Sequence, residues 1–306
     1  MNILVTGGAG FIGSQVADRY IAESHNVVIV DDLSTGFEKN IHPKATFHKF
    51  DIRSKEAAKL VENIKPDIIN HHAAQIDVRR SVADPLHDAQ INILGLLNIM
   101  EAAVRTKSVK KVIFSSTGGA IYGDAAVIPT PEEFPAQPVS PYGVAKLTSE
   151  HYLYYYSTIH GIPSICLRYA NVYGPRQNPE GEAGVVAIFA KKMIRGEQVI
   201  INGDGKQTRD YVFVGDVVEA NALALEKDIS GIFNIGTGKE TDVNGIYSIL
   251  AQRLKIPAKE KHGPQRKGEQ LRSALNTQKA KEELGWQSKI QLEAGIGKTV
   301  AFFQDQ

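Results

Sequence analysis

Short hydrophobic runs alternate with amphipathic stretches over the first two thirds of the chain. The short runs are rich in β-branched residues and predict strands, whereas the longer stretches carry apolar residues at helical spacing. Strands that alternate with helices form βαβ units, so we predict an α/β fold with a doubly wound parallel sheet covered by helices on both faces. The predicted strands are 3–5, 27–30, 46–48, 67–69, 112–114 and 165–168, and the predicted helices are 12–24, 54–64, 88–105 and 142–160.

The pattern becomes irregular after Pro175, which predicts a smaller mixed lobe. Short strands are expected at 199–201 and 232–234, among helices at 185–195, 215–225 and 243–254. We therefore predict a first domain over 1–174 and a second lobe over 175–306, with interleaved segments that return to the first domain. The proline-rich segment 123–141 predicts a long loop, and long loops in compact domains are often functional.

Composition and charge narrow the classes of partner. The chain has 306 residues with 35 lysines and arginines against 34 acidic residues, and its basic residues are scattered. Neither nucleic acid nor an anionic membrane is an expected partner. A single cysteine, Cys166, excludes an internal disulfide, and no apolar run is long enough to cross a bilayer. The given sequence also enters an apolar segment at once, with no basic stretch ahead of it. Together these features favour a cytoplasmic protein.

A glycine-rich motif follows the first predicted strand and opens the first helix. Its glycines Gly7, Gly10 and Gly13 match the pattern that lets a backbone approach a pyrophosphate at a helix N-terminus. The second strand ends at Asp31, 18 residues after Gly13, where a carboxylate can bind a ribose diol and repel a 2′-phosphate. The motif predicts a Rossmann-like site for NAD rather than NADP. The alternative is a glycine-rich turn without a ligand and a surface aspartate.

A tyrosine and a lysine lie one helical turn apart at Tyr142 and Lys146. The strand before them ends in the hydroxyls of Ser115, Ser116 and Thr117, and ligands of open α/β sheets bind at the carboxyl ends of the strands. A nearby ammonium and a cationic nicotinamide ring would favour the phenolate of Tyr142, which predicts hydride chemistry. The alternative is an exposed pair on a helix surface.

His71 and His72 are the residues that first suggest a metal site. Neighbouring residues on a strand point to opposite faces and cannot easily share one ion. We predict no metal.

These motifs together resemble the extended branch of the short-chain dehydrogenase/reductase superfamily, and within it the UDP-glucose 4-epimerases. The resemblance covers nearly the whole chain. It is carried by the stretches 6–13, Asp31, 51–53, 72–74, Asn92-x-x-Gly95, 115–117, Tyr142-x-x-x-Lys146, 168–175, 209–211 and 266–269.

The resemblance implies roles for individual residues. Catalysis would rest on Tyr142, Lys146 and Thr117. The cofactor NAD would be held by Gly7, Gly10, Phe11, Ile12, Gly13, Asp31, Asp32, Ser34, Thr35, Gly36, Asp51, Ile52, His72, Ala73, Ala74, Gln75, Asn92, Ser115, Tyr142, Lys146 and Tyr169. A UDP-sugar would contact Thr117, Asn171, Val186, Val199, Ile201, Arg209, Arg266, Glu269 and Ser273, where guanidinium groups suit the diphosphate.

The residues after Thr117 favour one reaction among those of the branch. Related dehydratases carry an Asp-Glu pair there and decarboxylases a glutamate close behind, whereas this chain has Gly118 and Gly119. The resemblance therefore implies epimerisation at C4 through a transient 4-keto sugar, with the hydride returned to the other face. The stretch 115–123 is one residue longer than in some epimerases, which leaves the placement of Thr117 open.

Two further expectations concern the sugar and the assembly. Ser273 aligns where some relatives have tyrosine, and a small residue leaves room for an N-acetyl group, which predicts activity on UDP-N-acetylglucosamine. Tyrosines on helix 142–160 predict packing or a homodimer contact shared with helix 88–105. The rival functions are a UDP-glucuronate 4-epimerase or decarboxylase and, on the same fold, a non-catalytic NAD sensor.

Overall fold

The computed structural model describes residues 1–180, 184–257, 260–265 and 270–305. Its strands in chain order are β1 Asn2–Thr6, β2 Asn26–Asp31, β3 Thr46–Lys49, β4 Ile68–His71, β5 Lys111–Thr117, β6 Ser164–Tyr169, β7 Asn171–Tyr173, β8 Ile200–Asn202, β9 Thr208–Arg209, β10 Tyr211–Phe213, β11 Gly231–Ile235, β12 Thr241–Asp242 and β13 Lys261–Gly263. Its α-helices are α1 Phe11–Ala22, α2 Lys55–Ile64, α3 Val78–Ala83, α4 Pro85–Ala89, α5 Gly95–Thr106, α6 Gly118–Ile121, α7 Pro141–His160, α8 Val185–Ile194, α9 Val214–Glu226, α10 Val243–Leu254 and α11 Leu292–Gln304. Short 3₁₀ and π-helical turns cover Glu38–Asn40, Gln90–Leu94 and Ala280–Leu284.

A parallel sheet of seven strands forms the centre of the molecule, in the order β11-β6-β5-β4-β1-β2-β3. The predicted α/β fold with a doubly wound parallel sheet is confirmed. The strand order reverses between β1 and β4, where Thr6 pairs with His71. Such a switch point leaves a crevice at the carboxyl ends of the strands, and this is where ligands of open sheets bind.

Two hydrophobic cores cover the two faces of this sheet. On one face α1 and α9 pack over β1, β2 and β6 around residues such as Tyr20, Val217 and Trp286. On the other face α2, α5 and α7 pack around Leu96, Met100 and Leu153. Both faces are buried, which is why the strands are near-continuous apolar runs rather than alternating ones.

A third core lies outside the sheet, between α8, α10 and α11. Its helix α11 was not among the predicted elements, although Leu292, Ile296, Val300 and Phe303 follow helical spacing. The predicted strand 232–234 is β11, which pairs in parallel with β6 at the edge of the main sheet. A strand that follows Pro175 in the chain thus belongs to the main sheet.

The predicted helix 88–105 is in fact made of α4, a π-helical turn and α5. The π turn at Gln90–Leu94 adds a residue to the helical repeat, and such turns are frequent at functional sites. It contains Asn92, whose position is described below. The segment 123–141 has no helix or strand before α7 begins, as predicted, and it is held by a bridge between Thr130 and Leu275.

No helix in the described ranges is long and apolar enough to cross a membrane.

Candidate active site

The glycine motif forms a tight turn at the switch point of the sheet. Gly7 has φ +70°, and a Cβ added there would stand 2.6 Å from the backbone nitrogen of Ala73. A Cβ on Gly13 would stand 2.4 Å from the carbonyl oxygen of Gly7. Only glycine lets the β1 turn, the first turn of α1 and the chain after β4 approach one another this closely.

Asp31 ends β2 beside this turn. Its Oδ2 accepts a hydrogen bond from Ala9 N at 3.0 Å and its Oδ1 one from Leu33 N at 2.8 Å. Burial raises the pKa of its carboxyl, and the two backbone donors oppose that shift. The carboxylate is thus fixed at the carboxyl end of β2, as a ribose-binding acid requires.

One cleft of about 520 Å³ runs from this turn along the carboxyl edge of the sheet. Most of the residues predicted to hold the cofactor line it: Gly7, Gly10, Phe11, Ile12, Gly13, Asp31, Asp32, Ser34, Thr35, Asp51, Ile52, His72, Ala73, Ala74, Gln75, Ser115, Tyr142, Lys146 and Tyr169. Their individual roles stay predictions. The cleft also contains residues that the sequence did not single out, notably Phe37, Phe50, Arg80, Arg176, Gln177 and Asn178.

The cleft fits a bound dinucleotide. Both ring nitrogens of His72 are buried there without a hydrogen-bond partner in the described part of the chain, which leaves them open to a ligand. Burial lowers the pKa of His72 to about 3, so its ring is neutral. Together with the glycine turn and Asp31, these groups match a cofactor that carries a pyrophosphate and a ribose diol.

Asn92 is buried and is not among the described residues that line the cleft, so its predicted contact with the cofactor stays a prediction. Its Oδ1 accepts a hydrogen bond from Gln75 N at 2.9 Å, and its Nδ2 donates to Gln75 O at 2.9 Å. It therefore fixes the backbone of a cleft residue, and the π turn supplies the position from which it does so. Gly36, where a Cβ would stand 2.9 Å from the Ala9 backbone, packs behind the glycine turn.

Helix α7 carries Tyr142 and Lys146 and begins at a well-defined cap. Ser140 accepts a hydrogen bond from Gly143 N at 3.2 Å, and Pro141 occupies the first turn. A Cβ on Gly143 would stand 2.5 Å from Ala120 O, so glycine lets the helix start directly against the chain after β5.

The three predicted catalytic side chains meet at the carboxyl end of β5. The Thr117 hydroxyl acts on the Tyr142 phenol and lowers its pKa. The Lys146 ammonium donates to Ser115 O at 2.8 Å and lies 6.0 Å from the centre of the Tyr142 ring. All three side chains line the cleft. Tyr142 and Lys146 are therefore not an exposed pair on a helix surface, which was the alternative interpretation of their spacing.

The surroundings of Tyr142 raise the pKa of its phenol. Burial raises this pKa, the charge of Asp88 raises it further, and the Thr117 hydroxyl only partly opposes them. Burial lowers the pKa of Lys146 to about 8, against the charges of Asp88 and Glu150. The phenol is therefore protonated at neutral pH in the cleft as described.

A buried ion pair fastens α7 to the strands beneath it. Glu150 Oε2 lies 2.6 Å from Arg168 Nη2 on β6, and its Oε1 accepts from Ser116 Oγ at 2.6 Å on β5. Ser116 and Arg168 are paired in register. The pair thus fixes the distance between the strand end that bears Thr117 and the helix that bears Tyr142 and Lys146.

The residues predicted to contact the substrate are only partly brought to the cleft. Thr117 lines it, and the Asn171 amide oxygen lies beside Thr117 across Gly119. Arg209 pairs with Thr241 in the short β9-β12 ladder, and Ser273 is buried near Leu275, which packs on Gly118. Val186, Val199 and Ile201 are buried in the third core, and Arg266 and Glu269 lie outside the described residues.

In the described ranges no group of three His, Cys, Asp or Glu side chains is arranged to hold a metal ion. Thr6 Oγ1 lies 3.0 Å from His71 Nδ1, and the His71 ring stacks on Phe114. Burial lowers the pKa of His71 to about 3. These contacts describe a packed neutral imidazole.

Comparisons with known proteins agree with this site. A family model described as the NAD dependent epimerase/dehydratase family matches residues 3–236. The UDP-glucose 4-epimerase of Mycolicibacterium smegmatis is 44% identical over 312 residues, which cover 100% of this chain and 99% of that protein.

Two solved structures are similar over nearly their full lengths. The UDP-glucose 4-epimerase of Thermotoga maritima with UDP-glucose has a TM-score of 0.98 and 48% identity, and the match covers 100% of this chain and 99% of that one. The UDP-N-acetylglucosamine 4-epimerase of Methanobrevibacter ruminantium in complex with UDP-N-acetylmuramic acid has a TM-score of 0.94 and 33% identity, covering 99% and 98%.

Proposed function

Because this chain belongs to the NAD-dependent epimerase/dehydratase family of enzymes, we propose that it inverts C4 of a UDP-sugar, with UDP-glucose and UDP-galactose as the interconverted pair. The observation that carries the proposal is the meeting of Thr117, Tyr142 and Lys146 at the end of β5, in the same cleft as the glycine turn. When bound, NAD⁺ supplies a reversible hydride acceptor for the 4-hydroxyl carbon.

The chain's own residues manage the proton of that hydroxyl. The Tyr142 phenolate oxygen accepts the proton as C4 is oxidised and returns it when C4 is reduced. Thr117 stabilises the charge on this oxygen, since its hydroxyl lowers the pKa of the phenol. Lys146 is held by Ser115 O and keeps a positive charge near the same ring.

The absence of a carboxylate directly after Thr117 favours epimerisation over elimination. Gly118 and Gly119 occupy the positions where related dehydratases and decarboxylases place acids, and Leu275 packs on Gly118. Without a general acid or base there, the 4-keto sugar has no side chain to promote loss of water.

The substrate would extend from Thr117 towards the second part of the chain. We assign residues 1–174 mainly to the cofactor and residues 175–306 mainly to the UDP-sugar. Asn171 and Arg209 are proposed to hold the diphosphate, while the backbone beside Val199 and Ile201 contacts the nucleoside, since the side chains of Val199 and Ile201 are buried. Val186, Arg266 and Glu269 stay in the predicted set.

A single assay tests the function. The purified protein, without added NAD, is incubated separately with UDP-glucose, UDP-N-acetylglucosamine and UDP-glucuronate, and the products are identified by chromatography. Formation of UDP-galactose from UDP-glucose supports the proposal. Inversion or decarboxylation of UDP-glucuronate alone would replace it with that activity, and no conversion of any sugar would leave a nucleotide-binding protein.

Ser273 leads to a prediction on sugar size. It is small and buried beside the segment that packs on Gly118, so we propose that the site also accepts UDP-N-acetylglucosamine. Replacing Ser273 by tyrosine should lower the ratio of N-acetylglucosamine to glucose turnover by at least about tenfold. Ser273→Ala is the control that keeps the space. An unchanged ratio in Ser273→Tyr would contradict this role.

A stripe of exposed apolar residues supports a homodimer. Leu86 on α4 is 76% exposed and Ile159 on α7 is 64% exposed, and α4 packs against α7. Val144 and Tyr155 continue the stripe along α7. A patch of this kind marks an interaction surface.

The proposed location is the cytoplasm. The single cysteine, Cys166, is a free buried thiol, which accords with a cytoplasmic enzyme.

Leu86→Arg should convert the dimer to a monomer in analytical ultracentrifugation, because a buried unpaired charge destabilises an interface. Val127→Arg, at an exposed loop position away from these helices, is the control. If Leu86→Arg sediments as wild type does, the stripe is not the dimer contact.

A further inference from the structure

Asp88 is a buried carboxylate for which the proposed mechanism has no use. It lies on α4 and is 1% exposed. Its Oδ1 accepts hydrogen bonds from Gln75 Nε2 at 2.9 Å and Asn92 Nδ2 at 3.0 Å. Its Oδ2 is buried and has no hydrogen-bond partner among the described residues. A buried charge with a free oxygen is costly unless another charge compensates it.

The carboxylate lies in the wall between α4 and α7. Ser149 on α7 donates to Asn92 O of the π turn at 3.1 Å, and the backbone of Tyr142 donates to Ser81 Oγ on α3 at 3.2 Å, so α7 is joined to the segments that precede and follow α4. Its charge acts on both Lys146 and Tyr142. The described part of the chain offers it no arginine or lysine at ion-pair distance.

Other ionisable groups also face Lys146, but they cannot balance its charge in the same way. Glu150 on α7 is already paired with Arg168. His71 at the end of β4 and His72 directly after it are neutral because burial lowers the pKa of each to about 3. Burial raises the pKa of the Cys166 thiol on β6, so it is also neutral. Within the wall, Asp88 is the carboxylate without a cation of its own.

We propose that Asp88 is a positioning residue for the reaction: held by Gln75 and Asn92, it balances the Lys146 ammonium across the dry wall of the cleft and so sets the pH range in which the Tyr142–Lys146 pair works. The proposal rests on the function proposed above. It assigns Gln75 and Asn92 the task of fixing Oδ1, while Oδ2 is buried with no hydrogen-bond partner among the described residues.

The sign of the effect follows from the charges. Asp88 raises the pKa of Lys146 against burial, and it also raises the pKa of Tyr142. Burial raises the pKa of Asp88 itself, while Gln75, Asn92 and Lys146 lower it. Removing the negative charge therefore lowers the pKa of both Lys146 and Tyr142.

Asp88→Asn should move both limbs of the bell-shaped pH profile of kcat to lower pH, by roughly one unit. The alkaline limb moves because Lys146 loses its proton earlier, and the acidic limb moves because the phenolate forms earlier. Asp84→Asn is the matched control: Asp84 is exposed one turn earlier, and asparagine also caps the helix. Its profile should coincide with that of wild type.

A readout independent of turnover is the titration of Lys146 by ¹³C NMR of lysine-labelled protein, with Lys146→Arg identifying the signal. In wild type the pKa should lie near or above 8, and it should fall in Asp88→Asn but not in Asp84→Asn. If Asp88→Asn does not fold, Asp88→Leu removes the same charge without leaving a polar group. A wild-type pKa clearly below about 7 overturns the proposal even without a variant.

The two proposals fail in different ways. If no sugar is epimerised but the Lys146 titration shifts as stated, the reaction assignment is wrong and the role of Asp88 towards Lys146 stands. If epimerisation is normal while Asp88→Asn changes neither the titration nor the pH profile, Asp88 is structural and this inference is wrong.

Discussion

Tyr142→Phe is expected to reduce epimerisation by about a thousandfold or more, because it removes the atom that accepts and returns the proton of the 4-hydroxyl. The phenol lies in the cleft with its ring centre 6.0 Å from the Lys146 ammonium. Among the described residues the other tyrosine that lines this cleft is Tyr169, whose pKa burial raises. The measurement is steady-state turnover of UDP-glucose, with NAD content and thermal unfolding followed on the same samples.

The control for this variant is Tyr154→Phe, on the same helix but 72% exposed. It removes the same hydroxyl away from the cleft and should leave turnover, NAD content and unfolding unchanged. Tyr142→Phe should retain NAD and its folded state. Ordinary turnover in Tyr142→Phe would show that the proton is handled elsewhere.

Gly7→Ala is expected to abolish binding of the cofactor. The residue has φ +70°, and the new methyl group would stand 2.6 Å from Ala73 N and 2.8 Å from the His72 carbonyl carbon. The turn would have to open at the point where β1 and β4 diverge, which moves backbone groups away from the pyrophosphate. The NAD retained per purified chain, measured after denaturation, should fall to near zero.

The matched control, Gly196→Ala, separates the effect of backbone strain from the effect of the steric clash at Gly7. Gly196 has φ +71° and nothing within 4 Å of its added Cβ, so Gly196→Ala carries the backbone cost of about 1–2 kcal/mol alone. We expect it to lower the unfolding temperature slightly and to keep NAD. If Gly7→Ala retains as much NAD as Gly196→Ala, the glycine turn does not form the cofactor cradle.

The sequence was sufficient to predict the fold class and most of the cleft. Short β-branched runs gave the central strands, because both faces of a parallel sheet are buried and its strands are continuously apolar. The glycine spacing, Asp31 and the Tyr142–Lys146 pair were found because each has a fixed spacing or place on one element. Membership of the family supports NAD as the cofactor, and the geometry of the glycine turn fits that cofactor.

What the sequence did not predict depends on contacts between distant elements. The place of β11 at the sheet edge depends on its pairing with β6, which is distant in the sequence and which no local pattern records. One example is the region where α4 packs against α7. There the π turn places Asn92 against Gln75, and the packed helices bury Asp88. The sequence predicted that Lys146 and a bound nicotinamide ring together favour the phenolate of Tyr142, and that stays a prediction. It did not predict that burial and Asp88 raise the pKa of Tyr142, because burial is a property of the folded cleft.

The fate of the hydrogen on C4 tests the central claim most directly. UDP-glucose deuterated at C4 is incubated with the purified enzyme in light water without added NAD, and the UDP-galactose formed is analysed by mass spectrometry and NMR. If C4 is oxidised and then reduced within one closed cleft, the product keeps its deuterium at C4. Loss of the deuterium to water would contradict the account, since it would mean that C4 is inverted without the return of its own hydrogen.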